Sequence, residues 1–132
     1  MITHPRPSPE IAAWLARLVS LGVNVVVPEV ADYEVRRELL RAGRSKGIRR
    51  LDELKRRLRY LPISTDAMLK AAEFWADARR RGGPTAHDYA LDADVILAGQ
   101  AATYTAKDVV VASANPRHLS RFIRSEKWEE IG

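Results

Sequence analysis

The side chains in this chain with the most to offer chemically are carboxylates. Glu34 lies about one turn into a helix-forming stretch that follows Val25-Val26-Val27-Pro28. Asp92 and Asp94 open a long segment rich in Ala, Leu, Ile and Val, and Ser113 and Asn115 follow the β-branched run Val109-Val110-Val111. Hard oxygen donors that converge from separate elements can hold Mg²⁺ or Mn²⁺, which neutralises charge on a phosphodiester and activates a water. Each residue also has an ordinary structural role open to it. Glu34 and Glu38 are four apart with Arg37 and Arg41 nearby, the pattern of a solvated helix face. Asp92 and Asp94 are two apart and point to opposite sides of a continuous helix, so only one faces a given site. Read from the residues alone, both are helix-cap candidates, Asp92 the more plausible of the two. Asn115 precedes Pro116 and can serve as an N-cap, and Ser113 can bond to its own turn.

Other chemistries are excluded by composition. The chain has 132 residues and no cysteine, so disulfides, thiolate catalysis and cysteine-based zinc sites are absent. His4, His87 and His118 lie far apart and form no metal-ligand spacing. No phosphate-cradling glycine motif and no nucleophile elbow is present. Without a signal peptide or a bilayer-length apolar run, the expected location is the cytoplasm, with no membrane partner.

The net charge is +5 and the pI about 9.9. Half of the 22 Lys and Arg residues fall between Arg36 and Arg59, where only Glu38, Asp52 and Glu53 oppose them. Such a basic field favours polyanions. Arg36, Arg37, Arg41, Arg44 and Lys46 are the first candidates for holding a nucleic-acid backbone, because they flank Glu34 in sequence. The plainer alternative is a solvated basic face that serves solubility.

The elements that must position these residues alternate. Ser8 and Pro9 open a helix in which Ile11, Trp14, Leu15 and Leu18 recur at helical spacing, and Gly22 closes it. Val23–Val27 reads as a buried strand ended by Pro28, and a helix follows from about Val30 to Ala42. The stretch from Gly43 to Gly47 breaks the pattern, and Leu51, Leu54, Leu58 and Leu61 mark an amphipathic helix with a basic back. Leu61-Pro62-Ile63 is a candidate edge strand. Ser64, Thr65 and Asp66 cap a helix reaching Arg80, which Gly82-Gly83-Pro84 stops. Ala90–Tyr104 is apolar nearly all round and predicts a central helix packed on a sheet. Asp108–Ser113 predicts a strand, and Trp128–Ile131 a last one. The whole reads as one α/β domain with a mainly parallel sheet and its site at the strands' carboxyl ends.

Three stretches together resemble the PIN-domain nucleases, within them the VapC-like ribonucleases. The first is Val25-Val26-Val27-Pro28-Glu29-Val30-Ala31-Asp32-Tyr33-Glu34-Val35, with Glu34 where the family carries a functional glutamate. The second, Asp92-Ala93-Asp94-Val95-Ile96-Leu97-Ala98-Gly99-Gln100-Ala101, looks like the family's acid-led helix, with Asp94 as the matching acid. The third, Val110-Val111-Ala112-Ser113-Ala114-Asn115-Pro116-Arg117-His118-Leu119, looks like its strand followed by polar residues. Their order and spacing cover most of the chain.

The resemblance implies a three-layer sandwich and a metal-dependent endoribonuclease using Mg²⁺ or Mn²⁺. Glu34, Asp94 and Asn115 would be its catalytic residues, Glu34 and Asp94 its metal ligands, and Asp92 and Ser113 would stand behind them. It also implies a homodimer and an antitoxin protein as partners, with RNA as substrate. The sequence departs from the family at His118 and Leu119, where an acid and an aromatic are usual, so Asn115 and Ser113 carry more of the third stretch. It departs more at the start, where Met1–Pro7 leads almost directly into a helix and the family's first strand and its aspartate are not seen. The expectation is an N-terminally shortened domain lacking one central strand and less stable for it. The rival expectations are a PIN-like module that binds nucleic acid or scaffolds without cutting, and an unrelated α/β protein whose basic helices take an acidic partner.

Overall fold

In the computed structural model, the first helix, α1 (Pro9–Ser20), ends where a glycine turns the backbone left-handed. Gly22 has φ 80°, its N–H donates to the Val19 carbonyl and the Val23 N–H to that of Leu18. This paired closure satisfies two carbonyls that a helix end leaves open. It also explains why strand β1 is Val26–Pro28 rather than the expected Val23–Val27: the Val23 amide is used in closing the helix. Trp14 and Leu18 are buried on the inner face of α1, as the spacing predicts.

The structure describes residues 9–81, 88–105, 108–113 and 119–131, and the chain divides into two compact units at Pro62/Ile63. A single domain was the expectation from length. In the first unit, β1 leads into α2 (Glu29–Arg41), then α3 (Ser45–Arg57) and β2 (Arg59–Leu61). β1 and β2 are parallel, with Val26 opposite Arg59, Val27 opposite Tyr60 and Pro28 opposite Leu61. Parallel neighbours need a crossover, and α2 and α3 supply it. β2 stops before Pro62, which has no N–H to donate.

Two expectations shift here. The break after α2 is shorter than predicted, because Gly43 (φ 67°) repeats the Gly22 closure and α3 starts at Ser45. Gly47 therefore lies inside α3, where it is buried against the Leu39 side chain of α2. Leu39 and Leu51 are the buried apolar anchors of this helix pair.

The second unit contains α4 (Thr65–Arg81), α5 (Asp88–Thr103), β3 (Val111–Ser113) and β4 (Ser125–Lys127). Ser64 caps α4, its hydroxyl accepting from the Ala67 N–H at 3.0 Å. The expected stop at Gly82-Gly83-Pro84 lies outside the described residues. Ala71, Leu91 and Val95 form a buried cluster, with Phe74, Ala78, Ile96 and Phe122 packed on it. The main partner of α5 is thus helix α4, where a sheet was expected. Small residues make this approach possible. Gly99, on α5, faces the backbone of α4 so closely that a Cβ would collide with the Ala67 carbonyl oxygen and lie 3.2 Å from the Ala71 nitrogen.

β3 and β4 are also parallel, with Val111 opposite Ser125 and Ser113 opposite Lys127. The last strand thus precedes the expected Trp128–Ile131, and Trp128–Glu130 is a 3₁₀ turn closed by the Ile131 N–H on the Trp128 carbonyl. A second 3₁₀ turn, Leu119–Arg121, buries Leu119. The α/β class holds, with five helices and two two-stranded parallel sheets among the described residues. None of the described helices is long and apolar enough to cross a membrane.

Candidate functional site

β1 passes into α2 without a loop. Pro28 is both the last strand residue and the helix N-cap, with φ −75° and ψ 145°, a geometry its ring favours. Glu29 and Asp32 then fall in the first turn, where the helix dipole stabilises negative charge. Asp32 is buried, with its side chain 9% exposed. A buried carboxylate must be paired and hydrogen-bonded, and here Arg36 does both, one helical turn on. Its Nε donates to Asp32 Oδ2 at 3.1 Å and its Nη2 to Oδ1 at 3.0 Å. This is the two-pronged geometry for which guanidinium is suited.

The same Nη2 donates to Asp52 Oδ1 on α3 at 2.7 Å, so Arg36 ties the two helices of the crossover together. Lys55 Nζ lies 3.9 Å from Asp32 Oδ1 and 4.3 Å from the centre of the Tyr60 ring on β2. Arg36 thus faces two carboxylates at once, Asp32 on its own helix and Asp52 on the next. The hydrogen bond from Arg36 lowers the Asp52 carboxyl below its ordinary range, and those bonds drive the Arg36 guanidinium higher still. Burial, the negative charges of Glu29 and Asp32 and a hydrogen bond with Glu29 push the Tyr60 phenol up to about 12. Asp32 is therefore already neutralised by protein cations and is not a ready metal ligand.

The expected site residues fall in both units. Glu34 is half-buried in the second turn of α2 in the first unit. Asp94 is half-buried on α5 in the second unit, and Ser113 is buried at the end of β3. Asp92 is exposed, consistent with its pointing away from Asp94. It is not the helix cap, however: α5 begins at Asp88, which leaves Asp92 in the second turn and beyond capping reach. Asn115 lies outside the described residues. Among the described residues, no three side chains of the metal-binding kind gather at one point. The donor chemistry of Glu34 and Asp94 suits Mg²⁺ or Mn²⁺, which prefer carboxylate oxygen. Mg²⁺ in particular is commonly held by one or two carboxylates together with water and substrate phosphate.

The basic residues divide into two sets. Arg36 is committed to Asp32 and Asp52. Arg37 stands 5.2 Å over the exposed Tyr33 ring, and Arg41 pairs with Glu38 at 2.8 Å. Arg44 and Lys46 are exposed at the start of α3. Beyond these, Arg49, Arg50 and Arg56 join Lys46, Asp52 and Glu53 in lining a shallow depression along α3. The sequence reading passed over Asp32, Lys55 and Tyr60. The four-residue spacing of Asp32 and Arg36 was a readable signal, whereas the approach of Lys55 and Tyr60 depends on the β1–β2 register. No family model, curated protein or solved structure matches the chain.

Proposed function

We propose that this chain is a PIN-like RNA-directed module with a three-layer α/β fold, acting as a metal-dependent endoribonuclease. The observation that carries this reading is the direct passage of parallel strand β1 into α2, the helix that leaves the strand's carboxyl end and carries Glu34 in its second turn. In parallel α/β sheets that end is where ligands are bound. Glu34 and Asp94 are the carboxylates that the PIN resemblance assigns to Mg²⁺ or Mn²⁺, and Asn115 and Ser113 the polar residues it adds. The ion would neutralise the scissile phosphate and lower the pKa of a bound water. The chain's own cations would hold the RNA backbone, a contact that is independent of base sequence. A second copy of the chain and an inhibitory antitoxin are the partners that the PIN resemblance adds.

The test is cleavage of an end-labelled RNA with Mn²⁺, Mg²⁺ or EDTA, for the chain and its Glu34→Gln and Asp94→Asn variants. Metal-dependent cleavage lost in both variants supports the nuclease. A second reading, an RNA-binding or scaffolding module without cleavage, draws on the neutralisation of Asp32 by Arg36 and Lys55. RNA binding without cleavage under any metal would select it.

A further inference from the structure

Both acids of α3 are already engaged, Asp52 by a cation of the neighbouring helix and Glu53 by one of its own. Asp52 accepts from Arg36 of α2 at 2.7 Å, and Glu53 pairs with Arg57 at 3.2 Å. Lys46, Arg49, Arg50 and Arg56 are exposed, and none of them is in an ion pair among the described residues. From Lys46 to Arg56 is ten residues of helix, or about 15 Å of rise.

This arrangement disfavours the helix it sits on. The first turn of α3 contains no acid and its N-cap makes no side-chain hydrogen bond, while Lys46 stands in that turn and Arg44 at the cap. Cations there oppose the helix dipole. Lys46, Arg49 and Arg50 also lie at three- and four-residue spacing, where like charges repel by a few tenths of a kcal/mol each. Local rules of this kind are broken where function requires it, so the charge pattern of α3 points to a functional surface.

We propose that the α3 ridge of Lys46, Arg49, Arg50 and Arg56 is a docking surface for the phosphate backbone of single-stranded RNA. It rests on the RNA-directed reading above, but does not require that the chain cut RNA. The ridge tracks successive phosphates without reading bases, and Arg36 acts as a positioning residue that keeps the Asp52 charge occupied.

The experiment is fluorescence anisotropy of a labelled oligouridylate titrated with the chain in EDTA, which removes cleavage from the readout, across a series of salt concentrations. Neutralising about four phosphates on a single strand gives a slope of log affinity on log salt of roughly −3. Arg49→Gln/Arg50→Gln should weaken binding at least tenfold and flatten that slope by about 1 to 2. It should fold as well as the parent or better, since it relieves the charge pattern of α3; circular dichroism and urea denaturation check this. Arg79→Gln/Arg80→Gln on α4 removes the same charge elsewhere and should change affinity less than threefold. Equal losses in the two double variants would reduce the effect to net charge and overturn the proposal. So would an unchanged slope, or tighter binding to phosphatidylserine vesicles than to RNA at the same salt. A chain that binds as described but fails to cleave leaves this proposal standing and removes only the nuclease.

Discussion

Arg36 reaches Asp32 on its own helix and Asp52 on the next with one guanidinium, so a single side chain both satisfies a buried acid and joins α2 to α3. Removing one partner of such a group is far more damaging than removing both, because the remaining charge stays in a poorly hydrated place. Arg36→Gln is expected to destabilise the chain by about 2 to 3 kcal/mol, below the range for a fully buried pair because Arg36 is 26% exposed. Adding Asp32→Asn should recover part of that loss. A urea-denaturation double-mutant cycle measures the coupling, and strict additivity would show that the fork contributes nothing.

The Asp52 contact has an acid signature. Its carboxyl is depressed in the folded chain by the hydrogen bond from Arg36. A depressed carboxyl contributes stability that is present above its unfolded value of about 3.8 and is lost as pH falls through the lower folded value. Asp52→Asn should therefore shrink the gap in stability between neutral and strongly acidic pH. An identical acid limb in parent and variant would contradict the assigned cause.

Tyr60 acts at the other end of the scale. Its phenol is raised to about 12 by burial and by Glu29 and Asp32, so the folded chain holds the proton more tightly than the unfolded one. The stabilisation is fully present below about 10, the ordinary phenol value, and is lost as pH rises through 12. Tyr60→Phe should flatten this part of the alkaline stability curve. Phenolate absorbance followed through the same titration should show a late ionisation that is lost in Tyr60→Phe, and an unchanged titration in the variant would exclude the shift.

The α4–α5 contact depends on the missing side chain at Gly99. Gly99→Ala places a methyl against the Ala67 carbonyl, which is backbone and cannot swing away. The expected loss is about 1 to 3 kcal/mol, read as a lower thermal midpoint. Gly43→Ala should cost about 1 to 2 kcal/mol for a different reason, its left-handed φ of 67°. Gly43→Asn should be milder there, while Gly99→Asn should be worse than Gly99→Ala. The reverse order at the two sites would refute the assignment of one to backbone angle and the other to close packing.

Ser64 supplies the first turn of α4 with an acceptor for the Ala67 amide. Ser64→Ala should lower stability by about 1 kcal/mol and Ser64→Asp by much less. Chemical denaturation of the two variants separates the cap from a general effect of substitution.

Much of this structure was legible in the sequence because its signals are local. Apolar spacing placed α1, α2, α4 and α5 to within a few residues, and Gly22, Gly43 and Ser64 marked ends through backbone angle and hydrogen-bonding capacity. The α/β class followed from β-branched runs set between helices. The misplacements have local geometric causes that a pattern of residue types does not contain. Val23 was spent on closing α1, Gly47 fitted inside α3 beneath Leu39, and Trp128–Glu130 wound into a 3₁₀ turn after the ladder had already formed.

The candidate site divides along the same line. The sequence by itself determined which chemistry is open to this chain: carboxylates and many cations, no thiols, and Glu34 and Asp94 on helices of an α/β protein. Only the tertiary structure decided which charges are already taken. Asp32 was buried beneath Arg36, Arg36 was turned from an RNA candidate into a link to Asp52, and Lys46, Arg49, Arg50 and Arg56 of α3 were left exposed and outside the ion pairs of the described residues. The physical reason is that ion pairing depends on distances of a few ångströms across elements, and those distances are set by helix packing and strand register.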